Sequence, residues 1–291
     1  MRRACAIIKA TALELLSEPL VFLVMISAMT LSVMAPAVHY HDFGEPSRMA
    51  RDAGVSAIMV GGLVIVAFGT IKTIRRELES QTAMSALALS VSRRLFFLSK
   101  LLGVLVAYLF YVITVGAVSL AAVRGAIIGS EIAAQNHTMV RMYGPVYVLS
   151  IAAFVLPFLY GAIVNRYFHR RFTLNANLCA FVLALVAATF RFDLDLFLRL
   201  LPMYVLVACP ALVLMSASAS FSTRFRFNAA ASFAIVVFAF FIPALGNYCV
   251  TDVLSSGADV SWLYFFGAIA AVLPPVAALS YLGVKLFEKA E

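Results

Sequence analysis

Long apolar runs alternate with short polar connections along the whole chain. Runs of membrane-crossing length, about 20 residues as a helix, fall at about 19–38, 54–71, 101–123, 145–164, 173–190, 202–221, 232–250 and 262–284. They are too long and too continuously apolar for barrel strands. In hydrocarbon a helix satisfies its own backbone, so the pattern predicts an all-α polytopic bundle of about eight spans. Ahead of the first run, Ala4, Ile8, Ala12 and Leu15 share one helical face of residues 4–18, Arg2, Lys9 and Ser17 share another, and Pro19 interrupts the helix. This predicts an amphipathic helix lying in the membrane interface. A ragged start to the first span is the alternative.

Composition strengthens the membrane assignment. The chain is 64% hydrophobic and 12% charged, with a mean hydropathy of +1.00, where a soluble domain carries roughly a quarter charged residues. Spans and short connections use nearly all 291 residues, so residues 1–291 form a single transmembrane domain. Glu14, Glu18 and Pro19 interrupt the N-terminal apolar region, which argues against a cleavable signal.

The net charge of +8 sorts by loop. With the N-terminus inside, sixteen of the 22 Lys and Arg residues are inside: Arg2, Arg3 and Lys9; Lys72, Arg75, Arg76, Arg93, Arg94 and Lys100; Arg166, Arg170 and Arg171; Arg224 and Arg226; Lys285 and Lys289. The positive-inside rule then places both termini in the cytoplasm, and it accounts for the basic charge through the lipid bilayer with no nucleic acid partner.

Much chemistry is missing from the sequence. It holds no GxxxxGK[ST] phosphate loop and no HExxH. His39 and His41 lie near Asp42 and Glu45 with no clearly placed third ligand, a pattern that reads as a wet outer loop rather than a metal site. Cys5, Cys179, Cys209 and Cys249 have no CxxC spacing and read as small structural residues. The span centres are nearly free of ionisable groups, while Asp193, Asp195, Asp252 and Asp259 fall in outer loops. An ion-driven carrier needs such a group at membrane depth, and an intramembrane hydrolase needs a nucleophile beside a base. No catalytic, cofactor-binding or metal residue is assigned in this chain, and an enzyme is not expected. Arg171-Phe172-Thr173-Leu174-Asn175-Ala176 is echoed by Arg224-Phe225-Arg226-Phe227-Asn228-Ala229, each where an inner loop meets a span.

The densest charge lies between Lys72 and Gly103. Such a segment cannot lie cheaply in hydrocarbon. Arg75 and Glu79 have pairing spacing, and Met84, Leu87 and Val91 form a narrow apolar stripe beside Glu77, Gln81 and Ser85. Two readings of this cytoplasmic helix stand level on pattern alone, docking to a soluble partner and resting on anionic lipid.

Glu77-Leu78-Glu79, Thr82, Ser92-Arg93, Phe97, Lys100 and Gly103 resemble the signature of ABC transporter permeases of the type-2, exporter-like class. In that family a glutamate-containing stretch, a threonine, a Pro-Val-Ser-Arg turn and a Gly-Lys pair follow the second span. Here Ser90 replaces the proline and Ser99 the glycine. Leu286-Phe287-Glu288-Lys289 resembles the family's tail. Six spans are common in the family, so eight is a variant with an added hairpin.

The resemblance implies a coupling helix at 73–92 that docks into a separate ABC ATPase subunit. Glu77, Glu79 and Thr82 would lie on that surface, and Arg93 would brace the return to the membrane. It further implies ATP and Mg on the partner, a second permease copy or paralogue, and a bacterial cytoplasmic (inner) membrane. The competing classes are an ATP-independent carrier or channel, and a structural membrane protein.

Overall fold

A computed structural model describes residues 2–35, 46–79, 92–135, 144–189, 192–224 and 262–289. Among the described residues there are eight helices and no strands: α1 (Arg2–Leu16), α2 (Pro19–Met34), α3 (Pro46–Glu79), α4 (Arg93–Gln135), α5 (Gly144–Phe168), α6 (Phe172–Thr189), α7 (Leu194–Arg224) and α8 (Trp262–Lys289). Helices α3 to α8 are each long and apolar enough to cross a membrane, and α1 and α2 together make a seventh candidate bent by 66°. The chain is an all-α helical membrane bundle. The expected span at 232–250 lies outside the described residues.

The helices overrun the apolar runs that predict them. The 34 residues of α3 make about 51 Å of helix and the 43 of α4 about 64 Å, at ~1.5 Å per residue. A bilayer's hydrocarbon core is about 30 Å thick, so both helices project well beyond it. Prolines do not end the helices: α7 continues past Pro202 and Pro210, and α8 past Pro274-Pro275.

Helix α3 packs against α4, α7 and α2, and α4 touches every other described helix. Lipid tails are as apolar as leucine, so spans associate through close packing and small residues. Glycines on α3 provide that approach. A Cβ on Gly54 would lie 2.4 Å from the Ser119 Cβ, one on Gly61 2.0 Å from the Tyr111 hydroxyl oxygen, and one on Gly62 2.8 Å from the Tyr108 ring. These contacts run α3 and α4 antiparallel in a fixed register.

Buried hydroxyls complete the core. Tyr111 donates to the Ala57 carbonyl at 2.6 Å, Tyr108 to the Ala208 carbonyl at 2.9 Å, and Tyr204 to Ser119 Oγ at 2.8 Å. A smaller cluster joins α2 and α6 through Phe22, Ile26, Ala176 and Phe172, and Phe158 of α5 meets the Phe172 ring edge-on at 5.4 Å. The periphery is different. The apolar stretch of α3 is 72% buried, that of α8 not at all.

Candidate functional site

The site forms where α1 stops. Pro19 cannot donate a backbone hydrogen bond, so it suits the first position of α2, and it holds Glu18 extended at φ −77° and ψ 135°. The break leaves the last carbonyls of α1 without helical partners. Helix α6 supplies them. Asn177 Nδ2 donates to the Leu16 carbonyl at 2.7 Å, and the Thr173 hydroxyl donates to the Ser17 carbonyl. Arg171 Nη1 reaches Ser17 Oγ at 3.3 Å, and that hydroxyl donates to the Leu13 carbonyl at 2.6 Å. The N-terminus of α6 thus caps the C-terminus of α1 through side chains.

The same break is held ionically from α3. Glu18 pairs with Lys72 at 2.5 Å, and Glu14 pairs with Arg76. Each partner set is spaced by four residues, and the pairs run antiparallel. Lys72 Nζ also sits 5.4 Å from the Phe68 ring centroid.

Close packing seats the rest of α1. A Cβ on Gly103 of α4 would lie 2.5 Å from Thr11 Cβ and 3.0 Å from the Ile8 carbonyl oxygen. Thr11, Ala12, Leu15 and Leu16 are buried, so α1 is part of the protein fold along one face rather than only a float on lipid.

Ser92 starts α4. Its Oγ accepts the Leu95 N–H at 3.3 Å, and its carbonyl accepts the Phe96 N–H at 3.0 Å, so it is the N-cap. Arg93 follows, partly buried, at the first helical position. Arg94 then pairs with Glu288 of α8 at 2.7 Å, and Phe287 stacks against Phe96 and lies beside Phe97. Ser99 is buried and donates to the Leu95 carbonyl at 2.6 Å.

Of the predicted docking residues, Glu77 and Glu79 lie on the last turns of α3 and Arg93 on the first turn of α4. The antiparallel register puts these termini at the same end of the molecule, beside α1. Thr82 lies outside the described residues, as do 80–91 of the expected coupling helix; residues 73–79 continue α3. His39, His41, Cys249 and, beyond Arg224, the second copy of the Arg-Phe echo also lie outside them.

The opposite end carries a different charge pattern. There arginines meet aspartates: Arg51 with Asp52 at 3.1 Å, Arg124 with Asp193 at 3.2 Å and Arg199 with Asp195 at 3.1 Å. Asp193 Oδ1 also accepts the Asp195 and Leu196 amides at the start of α7.

Sequence reading took Glu14 and Glu18 only as breaks in an apolar run and Lys72 and Arg76 only as inside charge. Their matched four-residue spacing was the signal that they form one clasp. Asn177 offered a weaker signal, a polar residue within an apolar span. The chain matches no family model, no curated protein and no solved structure.

Proposed function

We propose that this chain is the membrane-spanning subunit of an ATP-binding cassette transporter, exporting its substrate with power from a separate ATPase subunit. The observation that carries the reading is the clasped end of the bundle. Helices α3 and α4 project beyond membrane thickness, their ends at Glu79 and Ser92 bracket the 80–91 link, and α1 ties α3 to α4 just behind it. A force applied at such a link passes into two long helices that share the bundle core.

On this reading both termini and the clasp face the cytoplasm of a bacterium whose inner membrane holds the protein. Glu77, Glu79 and Thr82 contact the ATPase, which carries ATP and Mg. A second copy or a paralogue completes the pathway, which fits the close packing between α3, α4 and α7.

Co-purification with an ABC ATPase encoded beside this chain is the test. An ATPase should be captured, and a Glu77→Ala, Glu79→Ala variant should lose substrate-linked ATP hydrolysis. Capture of no ATPase, unaltered hydrolysis in the variant, or gradient-driven transport by the chain alone in liposomes would sink the reading.

A further inference from the structure

Between the first turns of α4 and the C-terminal half of α8 lies a groove of about 320 Å³, lined by Arg94, Leu98, Ala277, Tyr281, Lys285 and Glu288 among others. Its floor is firm. A Cβ on Gly283 would lie 2.9 Å from the Phe97 ring and 3.1 Å from Ser220 Oγ, so α8 has no slack against α4 and α7 here. Ser220 also donates to the Leu279 carbonyl at 2.7 Å.

The groove is graded in polarity. Ala277 and Leu98 are apolar and exposed, whereas Arg94, Lys285 and Glu288 gather at the helix ends. From Ala277 to Glu288 along α8 is about 16 Å at ~1.5 Å per residue, the scale of a headgroup with the upper part of an acyl chain. Two cations and one carboxylate share the charged end. Arg94 and Glu288 offset each other at 2.7 Å. Lys285 Nζ sits 4.7 Å from the Tyr281 ring centroid, a contact that leaves its charge in place. The mouth therefore keeps a net positive charge. It opens along α8, whose apolar stretch has no fully buried residue, and the surroundings of such a surface in a membrane protein are lipid.

We propose that this groove binds one anionic phospholipid, its phosphate at Lys285 and Arg94 and one acyl chain against Leu98 and Ala277. Basic pockets between spans hold anionic headgroups in this way. A zwitterionic lipid would set its choline against Lys285. The inference requires only that the chain spans a membrane and does not rest on the transport reading.

The test uses the full-length chain in nanodiscs of equal phosphatidylglycerol and phosphatidylcholine, with retained lipid counted by native mass spectrometry. Wild type should retain phosphatidylglycerol over phosphatidylcholine by about fivefold, the worth of one interfacial cation. Lys285→Gln, which leaves the Arg94–Glu288 pair in place, should abolish that preference. Ala277→Phe should lower retention by filling the acyl channel. Equal retention of both lipids by wild type, as when another segment of this chain fills the groove, overturns the proposal. So does undiminished preference in Lys285→Gln or undiminished retention in Ala277→Phe. Inorganic phosphate should not displace the lipid at millimolar concentration; displacement would show a simple anion site and overturn the acyl-chain assignment.

Discussion

The two ends of α3 are held by opposite means. Toward its middle and N-terminal half, Gly54, Gly61 and Gly62 press against Ser119, Tyr111 and Tyr108 with no space for a single added carbon. At its C-terminal end, Lys72 and Arg76 meet Glu18 and Glu14 through side chains that reach the surface to different degrees, from 18% exposed at Glu18 to 64% at Arg76. Packing of the first kind has one arrangement and resists deformation. Exposed ion pairs contribute about 0–1 kcal/mol each and exchange readily with water. A bundle built this way has a fixed centre and an end that can re-pair, and segments that move are drawn from the less stable end of a structure.

Substitutions can break or sharpen that contrast. The largest effect is expected for Gly54→Val, where the new side chain meets Ser119 Cβ inside van der Waals contact. Overpacking of this kind costs about 3 kcal/mol, and thermal unfolding in detergent should show a clear loss of stability or no folded protein. Asn177→Leu should cost about 1 kcal/mol. It strips the Leu16 carbonyl of its cap, yet it also removes Asn177 Oδ1, a buried acceptor with no hydrogen-bond partner. Proteolysis within α1 is the more sensitive readout, because the cap holds α1 to α6.

Tyr111→Phe should cost about 0.6 kcal/mol, the mean for a hydrogen bond between spans, since the ring stays and only the bond to Ala57 is lost. Glu14→Gln should be the smallest, below about 0.5 kcal/mol, and its effect should shrink further as salt rises. The contrast fails if Glu14→Gln lowers the melting temperature as much as Gly54→Val does.

Much of the architecture was legible one residue at a time. The apolar runs located the described spans because a bilayer demands that length of any helix crossing it. Pro19 marked the α1–α2 break, because proline removes a donor wherever it falls. Helix ends were less legible. Helix α3 begins at Pro46 and α4 ends at Gln135, well outside their apolar runs, because a helix continues through polar residues when its interior is already anchored by packing.

The candidate site divided along the same line. Glu77, Glu79 and Arg93 were expected from the family resemblance, and the antiparallel register of α3 and α4 brings their helix ends to one end of the bundle. The clasp was not found, although all four of its charges had been noted. A charge in a sequence has a sign and a position but no partner.

By itself, then, the sequence determined that this protein is a helical membrane bundle, where most of its helices lie, and that one set of loops is basic. Those properties depend on composition and short-range periodicity, which act within a single element. Only the tertiary structure decided that Arg76 meets Glu14 across 62 positions, that Asn177 caps Leu16 across 161, and that Arg94 meets Glu288 across 194 to close the head of the α4–α8 groove. Those pairings follow from which helices the glycines allow to approach, and close packing is a property of two surfaces in contact that neither strand of sequence carries alone.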